Sequence, residues 1–355
     1  MDQRIQQLRS QFSSLKIDAF LVTFQPHLRY LSGFSGSAGI GLVTHHGCFL
    51  ITDGRYSSQV RKEARGWRIV ITPFSLFDGL QQRNLLRTGL RVGFDGNTLV
   101  LSQFQQLKKL FPKVIFLPKV ECIEKIAAVK DPQEIATIKK AVAITDKVFS
   151  EILSLLKPGV TELDIAAEIS YRQRKQGAEA DAFETIVASG ERSALPHGRA
   201  TSKTIRKGDL VTLDFGCVVD GYHSDLTRTV AVGKPKPEAK KIYTIVHDAQ
   251  QRAIEAAKSG MKAKELDAVA RRYIREQGYD KYYRHSLGHG LGLQIHEAPR
   301  ISVMSSSVLE TGNVVTIEPG IYLPNFCGVR IEDDVVITNG SCQVLTQSPK
   351  HLMVL

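Results

Sequence analysis

Cysteine is scarce and scattered in this chain: Cys48, Cys122, Cys217, Cys327 and Cys342 are odd in number, and no two stand as C-x-x-C. That pattern excludes a zinc ribbon and a disulfide framework and leaves buried, reduced thiols as the expectation. Long apolar runs are missing as well. No stretch approaches the roughly 18 uninterrupted apolar residues of a membrane span, and Met1 to Lys16, where Arg4, Arg9 and Lys16 alternate with polar residues, holds no signal-peptide core. A soluble, cytoplasmic protein is therefore expected, with no membrane partner. Dense basic tracts are also lacking, although Lys and Arg outnumber Asp and Glu by 47 to 36. The basic residues come in short groups such as Arg61-Lys62, Arg206-Lys207 and Lys240-Lys241, mixed with acids and without interleaved aromatics. Solvated helix faces explain them better than nucleic-acid binding does. Finally, Gly33-Phe-Ser-Gly-Ser-Ala-Gly39 lacks the Lys-Ser/Thr of a phosphate loop, so a conformationally permissive loop is expected there.

What is present is globular: 43% hydrophobic against 23% charged residues over 355 positions. Single cores rarely grow past roughly 250–300 residues, so two domains are expected. The first reads as an α/β layer. Helical periodicity covers Asp2 to Leu15, Gln59 to Arg65 and Gln103 to Leu110; strand signals cover Ala19 to Thr23, Gly41 to Thr44, Cys48 to Thr52, Ile69 to Thr72 and Arg91 to Phe94. The join falls between Pro118 and Asp131, giving domains 1–122 and 123–355. Asp131-Pro132-Gln133-Glu134 then opens a long helix, with an Asp cap, Pro in the first turn and an acid behind it.

From there the chain repeats itself. Lys157-Pro-Gly-Val-Thr-Glu-Leu-Asp164 and a helix ending at Gln176-Gly177 are echoed by Lys258 to Asp267 and a helix ending at Gln277-Gly278. Lys207-Gly-Asp-Leu-Val-Thr-Leu-Asp-Phe-Gly216 is echoed by Thr311-Gly-Asn-Val-Val-Thr-Ile-Glu-Pro-Gly320, which sets Asp214 against Glu318 at an offset of 104. The pattern implies two α-α-β-β halves related by a pseudo-twofold, with helices on one face of an antiparallel sheet.

Val211 to Val232 reads as a hairpin about an Asp220-Gly221 turn. If Val219 pairs with Tyr222, Leu226 lies opposite Phe215, and Asp214 and Asp225 become diagonal neighbours on one face, their Cβ atoms within about 7–8 Å. Alone, they are equally well a pair of solvent-facing turn aspartates. The second half adds His285, His289 and His296 in Arg284-His-Ser-Leu-Gly-His-Gly-Leu-Gly-Leu-Gln-Ile-His-Glu297, then Glu318, then a single strand Val329 to Ile337. Alternation in that strand puts Arg330, Glu332 and Asp334 on one face. Each of these has a plain alternative, a hydrogen-bonded core histidine or a surface carboxylate. Together, Asp214, Asp225, Glu318, Glu332 and His289 crowd four acids and one imidazole onto adjacent strands, which demands cations. Oxygen donors with one nitrogen suit a pair of divalent ions such as Mn2+, with Co2+, Fe2+ or Zn2+ also compatible, and metal-assisted hydrolysis follows.

The D-F-G…S-D-x-T-R-T, H-S-x-G-H-G-x-G-L-x-x-H-E, E-P-G-I-Y and G-V-R-I-E-D-D signatures resemble the aminopeptidase P and prolidase branch of the pita-bread metallopeptidases. Gly36-Ser-Ala-Gly39 and Thr52-Asp-Gly-Arg-Tyr56 resemble its creatinase-like N-terminal domain. The resemblance implies an α+β chain: a creatinase-like α/β domain, then a pita-bread domain. It implies that Asp214, Asp225, His289, Glu318 and Glu332 hold two metal ions, with Asp214 and Glu332 bridging and Glu318 accepting a proton from the water between them. His197 would stand on the substrate side, His285 and His296 would stabilise the tetrahedral intermediate and protonate the proline nitrogen, and Arg330 would orient Glu332 or contact substrate. The implied activity is hydrolysis of the Xaa-Pro bond in short proline-containing peptides by a homodimer joined through the first domain. The GSAG and TDGRY stretches favour an aminopeptidase; a dipeptidase would need a cation for the free proline carboxylate, for which Arg300 is a candidate. A metal-free relative acting as a binding module is the alternative of another class, and a methionine aminopeptidase fits less well because its minimal form has no place for residues 1–120.

Overall fold

A computed structural model describes residues 2–355 and divides the chain into two compact units, Met1–Ala127 and Ala128–Leu355. Among the described residues no helix is long and apolar enough to cross a membrane.

In the first unit, strands β1 (Ala19–Val22), β2 (Gly39–Thr44), β3 (Cys48–Asp53), β4 (Arg68–Thr72), β5 (Arg91–Asp95) and β6 (Ile115–Lys119) form one sheet in the order β4-β3-β2-β1-β5-β6. Helices α1 (Asp2–Ser10), α2 (Phe12–Leu15), α3 (Gln25–Ser32), α4 (Ser57–Glu63), α5 (Leu76–Gln82), α6 (Leu101–Leu110) and α7 (Cys122–Ala128) complete the layer. Leu21, Leu42, Ile51, Val92 and Leu107 share one buried cluster. The expected single helix over Asp2 to Leu15 is broken at Gln11, whose amide turns back to Leu8 O at 3.2 Å and tightens the chain. Strand β6 escapes a sequence reading because Pro118 sits in it; at the edge of the sheet its missing N–H costs nothing. Gly33 caps α3 in the left-handed region, so the glycine-rich stretch connects a helix to β2.

The second unit opens with α8 (Pro132–Ile152), capped by Asp131 in a box with Glu134, and α9 (Glu162–Lys175), boxed by Thr161 and Asp164. Strands β7 (Ala180–Asp181), β8 (Ile186–Ser189), β9 (Leu210–Phe215), β10 (Cys217–Val219), β11 (Tyr222–His223) and β12 (Leu226–Ala231) follow. Then come α10 (Pro237–Ala256), α11 (Ala263–Glu276), β13 (Gly288–Gly290), β14 (Glu297–Ile301), β15 (Val314–Ile317), β16 (Gly320–Leu323), β17 (Cys327–Arg330), β18 (Asp333–Ile337) and β19 (Cys342–Val344). The internal repeat is physical. Gly177 and Gly278 carry φ of 99° and 85° just past α9 and α11, and the bridge Thr161↔Thr204 has its counterpart in Lys262↔Val308. β9 lies between β8 and β12 as β15 lies between β13 and β18.

The hairpin has the register that its turn dictates. Asp220 and Gly221 both have positive φ, 48° and 84°, the geometry that keeps two-residue turns in step with strand twist. Val219 pairs with Tyr222, Leu226 with Phe215 and Thr227 with Asp214. The hairpin is nonetheless shared between two sheets: its tip pairs with β7 while its arms pair with each other and with β8.

The expected strand Val329 to Ile337 is two strands, parted at Ile331 and Glu332. Glu332 N donates to Thr227 O at 3.1 Å, and the Glu332 carbonyl accepts from Arg228, so this residue bonds across to β12 and leaves its own ladder. Arg228 is the largest fully buried side chain. It donates to Asp333 Oδ1 at 2.7 Å, to Ser348 O at 2.7 Å and to Pro349 O at 2.9 Å, tying both the strand break and the C-terminal segment to β12. Removing it would leave the Asp333 charge buried with Gln250 and Lys350 as partners. Arg228→Met is expected to destabilise the protein by about 3 kcal/mol, seen as a lower urea midpoint; an unchanged midpoint would remove Arg228 from this role.

Candidate metal centre

Asp214 in β9 and Asp225, just before β12, are diagonal neighbours across the hairpin, and both are almost wholly buried. Glu318 follows the end of β15, Glu332 occupies the break between β17 and β18, and His289 is the middle residue of β13. All five face one cavity of about 700 Å³. His289 Nε2 lies 3.4 Å from Glu318 Oε1 and 3.7 Å from Asp225 Oδ2. Ligand atoms of Asp225, His289 and Glu332 fall within 4.8 Å of one another.

Charge repulsion dominates this floor. Burial, then Glu332 and Asp214, pushes Asp225 well above the usual carboxylate range. Burial, then Glu318 and Asp214, does the same to Glu332. Glu318 is pushed up to about 8, chiefly by burial, with Arg330 opposing and Asp214 adding to the rise. Burial draws His289 down to about 4. Its Nδ1–H donates to Gly290 O at 3.1 Å, which fixes the tautomer and leaves Nε2 with a free lone pair directed at the acids. Asp214 Oδ1 and Asp225 Oδ1 are buried with no hydrogen-bond partner. Orphaned carboxylate oxygens around a bare imidazole nitrogen are what a divalent ion satisfies, so the donor set fits metal.

A second layer holds these groups. Thr316 Oγ1 donates to Glu318 Oε1 at 3.1 Å and accepts from His289 N at 3.1 Å. Thr227 Oγ1 donates to Glu332 Oε2 at 2.6 Å and accepts from Arg330 Nε at 3.0 Å. Sequence reasoning assigned neither threonine a role, yet each stands two residues from a ligand-type acid, the spacing that puts strand residues on one face. Arg330 pairs with Asp214 and reaches Glu332 only by way of Thr227. It also donates to Pro196 O at 3.1 Å and to Tyr322 Oη at 2.7 Å. The hydroxyl of Tyr322, likewise unassigned from the sequence, donates to His285 Nε2 at 3.0 Å. The His285 Nδ1–H is committed to Ser286 O at 2.8 Å. Burial, aided by Arg330, holds His285 down to about 3, so it is a neutral ring with both nitrogens engaged.

His296 meets His289 edge to face, with ring centroids 4.3 Å apart, and is itself exposed in the cavity. His197 also lines the cavity and is exposed. Among the described lining residues, Arg199 pairs with Glu184 at 2.8 Å and Arg330 with Asp214, whereas Arg300 has no carboxylate partner. Glu297 is buried against Lys130, a pair that no local sequence signal announces.

Residues 136–339 match Metallopeptidase family M24, and residues 4–129 match the Creatinase/Prolidase N-terminal domain. The Xaa-Pro dipeptidase of Pyrococcus furiosus is 39% identical over 361 residues, spanning 99% of this chain and 100% of that one. Among solved structures, an Xaa-Pro dipeptidase from Bacillus anthracis is 44% identical with a TM-score of 0.96, covering 99% of both chains. The X-Pro aminopeptidase from Thermotoga maritima MSB8 is 39% identical with a TM-score of 0.91, again over 99% of both. A pita-bread unit whose floor gathers acids and histidine, preceded by a creatinase-type unit, thus places this chain in metallopeptidase family M24, in its aminopeptidase P and prolidase branch.

Proposed function

We propose that this protein is a two-metal Xaa-Pro peptidase that prefers the dipeptide. Asp214, Asp225, His289, Glu318 and Glu332 would hold the two ions, Mn2+ being best suited to so oxygen-rich a set. Such a pair supplies a nucleophile from water and an electrophile for the scissile carbonyl.

The remaining work falls to the chain. Glu318, facing the cavity just past the end of β15, takes a proton from the attacking water. An Xaa-Pro bond is a tertiary amide, so its nitrogen leaves only when protonated. His296 is exposed beside the floor and delivers that proton, while His197 contacts substrate. His285 acts through Tyr322: with both ring nitrogens engaged, it aligns the hydroxyl that Arg330 also holds.

The preference for a dipeptide rests on Arg300, the lining guanidinium without a carboxylate partner, four residues from His296. A free proline carboxylate is the group it would meet. The stretches that favoured an aminopeptidase instead bond to each other, Ser37 Oγ to Tyr56 Oη at 2.7 Å and Thr52 Oγ1 to Ala38 O at 2.6 Å, as packing of the first unit. With Mn2+ present, Ala-Pro is expected to be cleaved in preference to Ala-Pro-Ala, and Arg300→Met to raise KM for Ala-Pro by about tenfold or more while sparing the tripeptide. Equal or better turnover of Ala-Pro-Ala would make this an aminopeptidase.

Two further measurements bear on the metal floor. Thr316→Val, which keeps shape and removes the hydroxyl, is expected to lower kcat/KM by about 10–100-fold with little change in melting temperature; wild-type activity would free Glu318 of that support. Without metal, the folded chain retains a proton on Glu318 up to about pH 8, against 4.5 for a free carboxyl. Stability is therefore fully present below the lower value and is lost as pH rises through the upper one. The chelator-treated protein should melt several degrees lower at about pH 8 than at about pH 5, and Mn2+ should remove the difference. A flat profile after chelation would mean that the acids are already neutralised by protein groups.

A further inference from the structure

The first unit holds a second group of ligand-type side chains. His27 stands in the first turn of α3, Asp95 closes β5, and Glu124 lies in the first turn of α7. One ligand atom from each lies within 4.8 Å of the others. All three belong to the unit that ends at Ala127.

The His27 side chain is 6% exposed, and neither of its ring nitrogens has a hydrogen-bond partner. Asp95 Oδ2 is 3.6 Å from Nδ1, too far for a hydrogen bond. A neutral imidazole carries one donor and one acceptor, and a histidine buried for packing alone normally satisfies at least one of them. The spacing suits a different bond. Two ligands held roughly 2.1 Å from one tetrahedral ion sit roughly 3.4 Å apart.

The neighbours are prepared in the same sense. Asn97 N donates to Asp95 Oδ1 at 2.9 Å and Thr98 Oγ1 to Oδ2 at 3.0 Å, fixing the carboxylate while leaving it lone pairs to give. Burial holds His27 down to about 4, so the ring is neutral, the form that ligates. Burial raises the Glu124 carboxyl, with Asp95 adding to the rise, as expected of two acids without a cation between them. The Cys122 thiol, pushed up to about 11 chiefly by burial, stays protonated and outside the donor set.

We propose that His27, Asp95 and Glu124 form a zinc site of the first unit, with the fourth position of the tetrahedron left to water. Imidazole with two carboxylates favours zinc over the harder magnesium and calcium. The ion would tie α3, the end of β5 and the start of α7 together as a structural clasp.

Full-length protein, stripped by chelator and dialysed to equilibrium with Zn2+, provides the test, with bound zinc per chain counted by plasma mass spectrometry. His27→Gln and Glu124→Gln are each expected to bind one ion fewer than wild type. Should His27→Gln fail to fold, Glu124→Gln, at a half-buried position, decides alone. An equal zinc count in wild type and Glu124→Gln overturns the site.

Discussion

Four carboxylates share one cavity floor, and among the described residues Arg330 is the guanidinium that pairs with one of them. Arg330 can meet only one acid directly and takes Asp214; Glu332 is reached through the Thr227 hydroxyl. Like charges at contact distance in a low-dielectric interior cost far more than any one hydrogen bond returns. Proton uptake by Glu318, Glu332 and Asp225, or a bound cation, is what relieves them. Burial holds His289 neutral beside the acids, with its bare nitrogen turned towards them.

Such a floor tolerates little movement, and the fold supplies the rigidity through backbone pairing. Asp214 stands in a ladder whose partners continue on both sides, β8 and β12. Glu332 stands where a ladder stops, and Arg228 together with Thr227 O replaces the missing sheet bonds. Strand regularity gives way at that residue because buried Arg228 bridges the gap. The histidines divide along the same line: His285 is locked between Ser286 and Tyr322, whereas His296 stands open to the cavity. Burial thus separates a ring with both nitrogens engaged from a ring open to the cavity.

Much of the fold was legible because its signals are local. Asp220-Gly221 dictates a turn, the turn dictates a register, and the register brings Asp214 next to Asp225. The echo between Gly177 and Gly278 marks matching helix ends because only residues that accept positive φ close a helix there without strain. Other elements were hidden: α3 and α5 are short, at eight and seven residues, and β6 contains a proline. The strand from Val329 to Ile337 reads as continuous, since nothing within it reveals that Arg228, a hundred positions earlier, will draw Glu332 aside.

The sequence by itself determined the residue types of the floor, the repeat that sets Asp214 against Glu318, and the hairpin that makes Asp214 and Asp225 diagonal neighbours, because each follows from turn chemistry or strand alternation over a few residues. Only the tertiary structure decided which groups support those acids. Thr227, Tyr322 and Arg228 take their partners from distant parts of the chain, Thr316 joins Glu318 to the His289 backbone of another strand, His285 loses both nitrogens to neighbours, and His27 meets Asp95 and Glu124 across the first unit. Those pairings depend on which strands lie side by side and how deeply each group is buried, and neither quantity is local in the chain.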